Sequence, residues 1–81
     1  MKANRAYDLI VRRAGRGPAL LRAADDLDHV EVVEIDSGEV VFFWDTTPAQ
    51  TGRLARALKA DLAGLEADEF YARWRRYDAG E

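Results

Sequence analysis

Val30-Glu-Val-Val-Glu-Ile-Asp36, Ser37-Gly38 and Glu39-Val-Val-Phe-Phe-Trp-Asp45 together decide the fold. Two runs rich in β-branched and aromatic side chains, joined by a Gly-containing turn, specify a β-hairpin over 30–45. With Ser37-Gly38 as a two-residue loop, Ile35 faces Val40, Val33 faces Phe42 and Glu31 faces Trp44. The expected inward face is then Val33, Ile35, Val40, Phe42 and Trp44. The expected outward face sets Val30, Val32, Val41 and Phe43 among Glu34, Asp36, Glu39 and Asp45.

Downstream, Thr47-Pro48-Ala-Gln50 supplies an N-cap hydroxyl, a proline at the first helical position and a Gln three residues past the cap, so a helix starts here. Leu54, Leu58 and Leu62 recur at helical spacing on one stripe, and Gly64 ends or kinks the helix. A second helix over 66–78 follows. It has acids in its first turn, arginines near its end, a Phe70, Trp74, Tyr77 stripe, and Glu69 with Arg73 as an i,i+4 pair.

Upstream, Pro18 to Asp28 reads as a helix with Leu20, Leu21, Ala24 and Leu27 on its apolar side. Tyr7-Asp-Leu-Ile-Val-Arg12 is compatible with either period. A strand is favoured because an isolated hairpin needs a third strand. The expected fold is a small two-layer α+β sandwich of order β-α-β-β-α-α, with an antiparallel sheet centred on the hairpin and helices on one face. Strand, helix and hairpin would form a split β-α-β unit, as in half of a ferredoxin-like sandwich. A helical N-terminus would give α-α-β-β-α-α instead. The chain is one domain over 1–81, with the 66–78 helix a candidate for docking separately.

The composition, 48% hydrophobic and 33% charged over 81 residues, is that of a globular chain with room for one core. No apolar run approaches the ~18–20 residues of a bilayer span, and the N-terminus leads into no apolar signal core, so a cytoplasmic protein is expected. With zero cysteines there is no disulfide framework, thiol nucleophile or thiolate metal site. The net charge of −3 conceals a segregation. Residues 1–22 hold six cations against one acid, residues 23–50 hold eight acids with no Lys or Arg, and residues 51–81 balance. Such asymmetry bears on association rather than on fold.

Four constellations invite chemistry. His29, the only histidine, lies near Asp25, Asp26 and Asp28, but neither a tetrahedral zinc set nor the alternating calcium-loop pattern is present, and a solvated connection is expected. Arg12-Arg13-Ala-Gly-Arg16-Gly-Pro18 is a basic loop before a helix start. It makes Arg12, Arg13 and Arg16 anion-binding candidates, although it matches neither a Walker loop nor a dinucleotide fingerprint. Nucleic-acid binding would add Arg73, Arg75 and Arg76, with Phe43 or Tyr71 as stacking platforms, against repulsion from the acidic hairpin. Ser37, Thr46, Thr47 and Thr51 are accounted for by turn and capping roles, so no catalytic residue and no cofactor is assigned.

The function favoured is a small non-enzymatic protein-interaction or regulatory module that partners itself or another protein. Its expected surface is Val32, Val41, Phe43, Phe70, Trp74 and Tyr77 inside a charged rim. The alternative is nucleic-acid or anion binding through the N-terminal and C-terminal arginines.

Overall fold

The computed structural model describes residues 1–13 and 27–77. A single helical turn, α1 (Ala3–Ala6), leads into β1 (Tyr7–Arg12), and then come β2 (Asp28–Glu34), β3 (Val40–Thr46), α2 (Pro48–Gly64) and α3 (Ala67–Trp74). The helix expected over Pro18–Asp28 falls mainly outside the described residues. Its last two positions differ from expectation, because Leu27 lies outside any element and Asp28 opens β2.

The sheet is antiparallel, in the order β1-β2-β3. β1 is a strand, and it pairs with β2 from Tyr7 opposite Glu34 to Arg12 opposite His29. A split β-α-β unit would have seated the first strand beside the third, with the second at the far edge; β1 pairs with β2 instead, so the antiparallel sheet holds but the ferredoxin-like strand order is corrected to β1-β2-β3. α1 is tied in at both ends. Ala6 carbonyl accepts from Ile35 N–H, while Ala3 N–H donates to the Leu65 carbonyl and Met1 carbonyl accepts from Ala67 N–H.

The hairpin turn is longer than a two-residue loop. Glu34 N–H donates to the Glu39 carbonyl and Gly38 N–H to the Glu34 carbonyl, with Gly38 at φ +74°, where only glycine sits without strain. Ser37 Oγ donates to Glu34 Oε1 and accepts from Glu39 N–H. Val30 faces Trp44, Glu31 faces Phe43 and Val32 faces Phe42, after which the register slips so that Val33 faces Val40 and Val41 is the extra residue of a bulge.

These two features shift the pairing by one residue and exchange most of the faces. Val30 and Val32 are fully buried, and Val41 packs against the core. Ile35 and Val40 are exposed, correcting their expected inward placement, and Val33 shares the face of Val40. Of the apolar positions only Phe42 and Trp44 inward and Phe43 outward keep their expected sides.

α2 begins as its sequence dictates. Thr47 Oγ1 accepts from Gln50 N–H at 3.3 Å and Gln50 Oε1 accepts from Thr47 N–H at 3.0 Å, closing a reciprocal capping box beside Pro48. Leu54, Leu58 and Leu62 bury their stripe against the sheet. α3 completes the same core through Phe70 and Trp74. It ends at Trp74, four residues short of the expected 78, so Tyr77 follows the helix. Arg73 turns to Asp61 of α2 at 3.3 Å instead of to Glu69, whose carboxylate accepts from the Glu66 N–H that opens the helix.

An aromatic layer fills the space between sheet and α3. Tyr7 stacks on Phe70 at 5.5 Å and Phe42 on Trp44 at 5.6 Å, and Trp44 meets Trp74 edge-on at 5.9 Å. Such pairs add ~0.5–1.5 kcal/mol each beyond the area they bury.

Candidate functional site

Three arrangements follow from this fold: an acid-bearing apolar surface on the hairpin, a buried polar network at its open end, and a groove between α2 and the end of α3.

The hairpin surface forms because the bulge and the four-residue turn throw Val33, Ile35 and Val40 to the side that Phe43 already occupies or to the tip beyond it. Ile35 is 50% exposed, Val40 50% and Phe43 51%, which is far above what side chains of this type retain in a core. Asp36, Glu39 and Asp45 are exposed around them. On the same face His29 stacks against Phe43 at 5.2 Å, and its Nδ1 lies 2.5 Å from Asp45 Oδ1. An ionised carboxylate only accepts, so Nδ1 carries the proton in this pair and Nε2 remains for another partner. Next to it Arg12 Nε donates to Glu31 Oε2 at 2.7 Å, across the β1–β2 pairing.

The polar network lies on the opposite, helix-facing side of β2. Asp28 is buried there, although its sequence position among Asp25, Asp26 and His29 suggested a solvated connection. Thr51 Oγ1 donates to Asp28 Oδ2 at 2.7 Å and meets Thr46 Oγ1 at 2.6 Å, and Thr47 carbonyl lies 2.9 Å from the same hydroxyl. Arg13 NH1 reaches Asp28 Oδ2 at 3.5 Å. A hydroxyl has one proton. With that of Thr51 directed to the carboxylate, Thr46 becomes the donor to Thr51. This network was not foreseen. The signal for it was a threonine at the fourth helical position, one turn below the capping threonine, where a leucine would have continued the apolar stripe.

The groove is lined by Ala57, Ala60 and Asp61 of α2 and by Arg73, Trp74, Arg76 and Tyr77, with a volume of about 460 Å³. Two alanines on α2 leave the space. Trp74 and Tyr77, edge-on at 5.0 Å, form its aromatic wall. Asp61 Oδ2 accepts from Trp74 Nε1 at 2.9 Å as well as from Arg73, and Trp44 Nε1 donates to the Tyr77 carbonyl at 3.3 Å. These bonds fix the wall to both α2 and the sheet.

Of the six residues expected on an interaction surface, Phe43 and Tyr77 are exposed. Val32 and Phe70 are fully buried, Trp74 is nearly so, and Val41 is half-buried against the core, so none of these four presents an outward face. The register shift accounts for Val32 and Val41. The closing of α3 onto the sheet accounts for Phe70 and Trp74. Among the anion-binding candidates, Arg12 is paired with Glu31 and Arg13 with Asp28, while Arg16 lies outside the described residues.

Two ionisable groups are displaced from their ordinary values. Burial, with Glu34 and Tyr71 adding repulsion, pushes the Tyr7 hydroxyl up. A hydrogen bond from the Met1 amino group and its charge, 2.9 Å away, hold the Glu66 carboxyl down. Among the described residues no three of His, Asp and Glu gather where a metal ion could be held, and no helix is long and apolar enough to cross a membrane. The chain matches no family model, no curated protein and no solved structure.

Proposed function

We propose that this domain is a protein-interaction module whose docking surface is the hairpin, with Phe43 and Val40 as anchors and Ile35 at the tip. The observation that carries this reading is the exposure of three large apolar side chains on an ordered hairpin, within a segment holding eight acids and no Lys or Arg. Interfaces commonly place aromatic anchors in the centre and charge at the rim. Charge also selects the partner. Two copies meeting through this surface would bring Glu39 and Asp45 against the same acids, whereas a partner with an apolar patch bordered by Lys or Arg would be complementary.

Photo-crosslinking tests this, with a photoreactive residue in place of Val40 in cells producing the chain. A discrete protein adduct that disappears with Phe43→Asp, in a variant of unchanged circular dichroism, is the expected result. The proposal fails if the adducts match those obtained from a photoreactive residue at exposed Lys59. Light scattering on the purified chain at micromolar concentration covers the self-association case: a dimer abolished by Phe43→Asp would assign the surface to a second copy and overturn the basic-partner reading.

A further inference from the structure

The groove between α2 and the end of α3 has features that a docking hairpin does not explain. Its volume of about 460 Å³ falls within the range that small-molecule sites occupy. Its wall is aromatic, its floor is cut back to alanine at positions 57 and 60, and its charged groups are unequal in sign. Asp61 is already satisfied by Trp74 Nε1 and by Arg73 Nε. The Arg73 guanidinium meets Asp61 through Nε, and Arg76 forms no ion pair or hydrogen bond among the described residues. One acid against two arginines leaves the groove with a surplus of one positive charge.

We infer that this groove binds a small aromatic carboxylate, the ring lying over Ala57 and Ala60 against exposed Tyr77 and the narrow edge of Trp74 that reaches the groove, and the carboxylate meeting Arg76 with Arg73 beside it. Guanidinium and carboxylate match in planar, two-point geometry. Tyr77 offers an exposed face that a flat apolar body covers without displacing the bonds from Trp74 and Arg73 to Asp61. Asp61 restricts the charge of the ligand. A monoanion neutralises the surplus, whereas a phosphate dianion would exceed it and confront the carboxylate. This site is separate from the hairpin surface. It is formed by α2, α3 and the residues just after it, so loss of one leaves the other intact.

The test is a chemical-shift titration of the full ¹⁵N-labelled chain with 3-phenylpropionate, its neutral amide and adenosine monophosphate. Saturable shifts from the carboxylate are expected at Ala57, Ala60, Tyr77 and the Trp74 indole N–H, with a Kd in the range of about 0.1–1 mM that open sites of this size give. The amide should bind about tenfold more weakly. Arg76→Gln, at an exposed position, should bring the acid down to the level of the amide. Ala60→Leu, which fills the floor, should abolish both sets of shifts while the remaining spectrum is retained. Absence of saturation by about 10 mM, shifts centred on other residues, equal binding of acid and amide, or tighter binding of the nucleotide at these residues would each overturn the assignment.

Discussion

Replacing Thr51 with valine isolates the hydroxyl at the centre of the buried network. Thr and Val have the same shape and nearly the same helix propensity, so α2 itself is little disturbed. The hydroxyl removed donates to Asp28 at 2.7 Å and accepts from Thr46 at 2.6 Å, all three side chains being buried. A hydrogen bond to a charged group contributes ~1.5–3 kcal/mol, and the Thr46 hydroxyl, left without its acceptor, costs about 1 kcal/mol more. The added methyl recovers about 0.8 kcal/mol. The net expectation is a loss of about 2–3 kcal/mol, which for a domain of this size lowers Tm by about 10–20 °C. Urea unfolding followed by tryptophan fluorescence should show a lower midpoint at unchanged m-value. The double variant Thr46→Val/Thr51→Val should cost about 1 kcal/mol less than the two single changes added together, because it removes the stranded hydroxyl as well. A Thr51→Val midpoint within about 0.5 kcal/mol of the parent, or strict additivity in the cycle, would refute the network as drawn.

Phe70→Ala removes a fully buried ring in contact with Tyr7, Phe42 and Trp74, so a loss of ~3–5 kcal/mol is expected, visible as collapse of the near-ultraviolet circular dichroism. Gly38→Ala meets no atom within 4 Å but must adopt φ +74°, so backbone strain alone should lower stability by about 1 kcal/mol in the same urea assay. Thr47→Ala opens the capping box and should cost ~0.5–2 kcal/mol, with helical signal lost before the sheet on heating. The Tyr7 hydroxyl is raised in the folded state above its unfolded value of 10.0, so its contribution is complete below that pH and is lost as pH rises through the folded value. Tyr7→Phe should therefore remove part of the alkaline decline in stability, and parallel declines of parent and variant above about pH 10 would exclude the effect.

The hairpin strands, α2 and α3 were legible because each carries a local signal that no tertiary contact overrides, whereas the short turn of α1 was not expected. Thr47, Pro48 and Gln50 determine the start of α2, and the leucines at 54, 58 and 62 determine its buried side. β1 was ambiguous between periods and was resolved by the need of a hairpin for a third strand. The faces of β2 were not legible, because its valines fall in two phases, 30 and 32 on one, 33 with Ile35 on the other. Hydrophobicity gives both phases nearly equal claim to the core, and the turn length and the bulge at Val41 break the tie. The same slip moved two of the six expected surface residues inward. The groove was half legible: Trp74, Tyr77 and the arginines stood out, but their convergence on Ala57 and Ala60 of α2 depends on how α3 crosses it.

Asp28 acquires a second meaning from this near-degeneracy. A slip of one residue along β2 would exchange one apolar set for the other, but it would also turn Glu31 toward the helices away from Arg12, carry Asp28 out from beneath α2 and bring His29 under Thr46 and Thr51. The carboxylate would lose its hydroxyl donor, and the hydroxyls would face a ring at the wrong height. A polar contact is intolerant of misplacement where valine is not, so the buried Asp28 works as an index mark along the strand. It tells β2 which of its two faces is the inside.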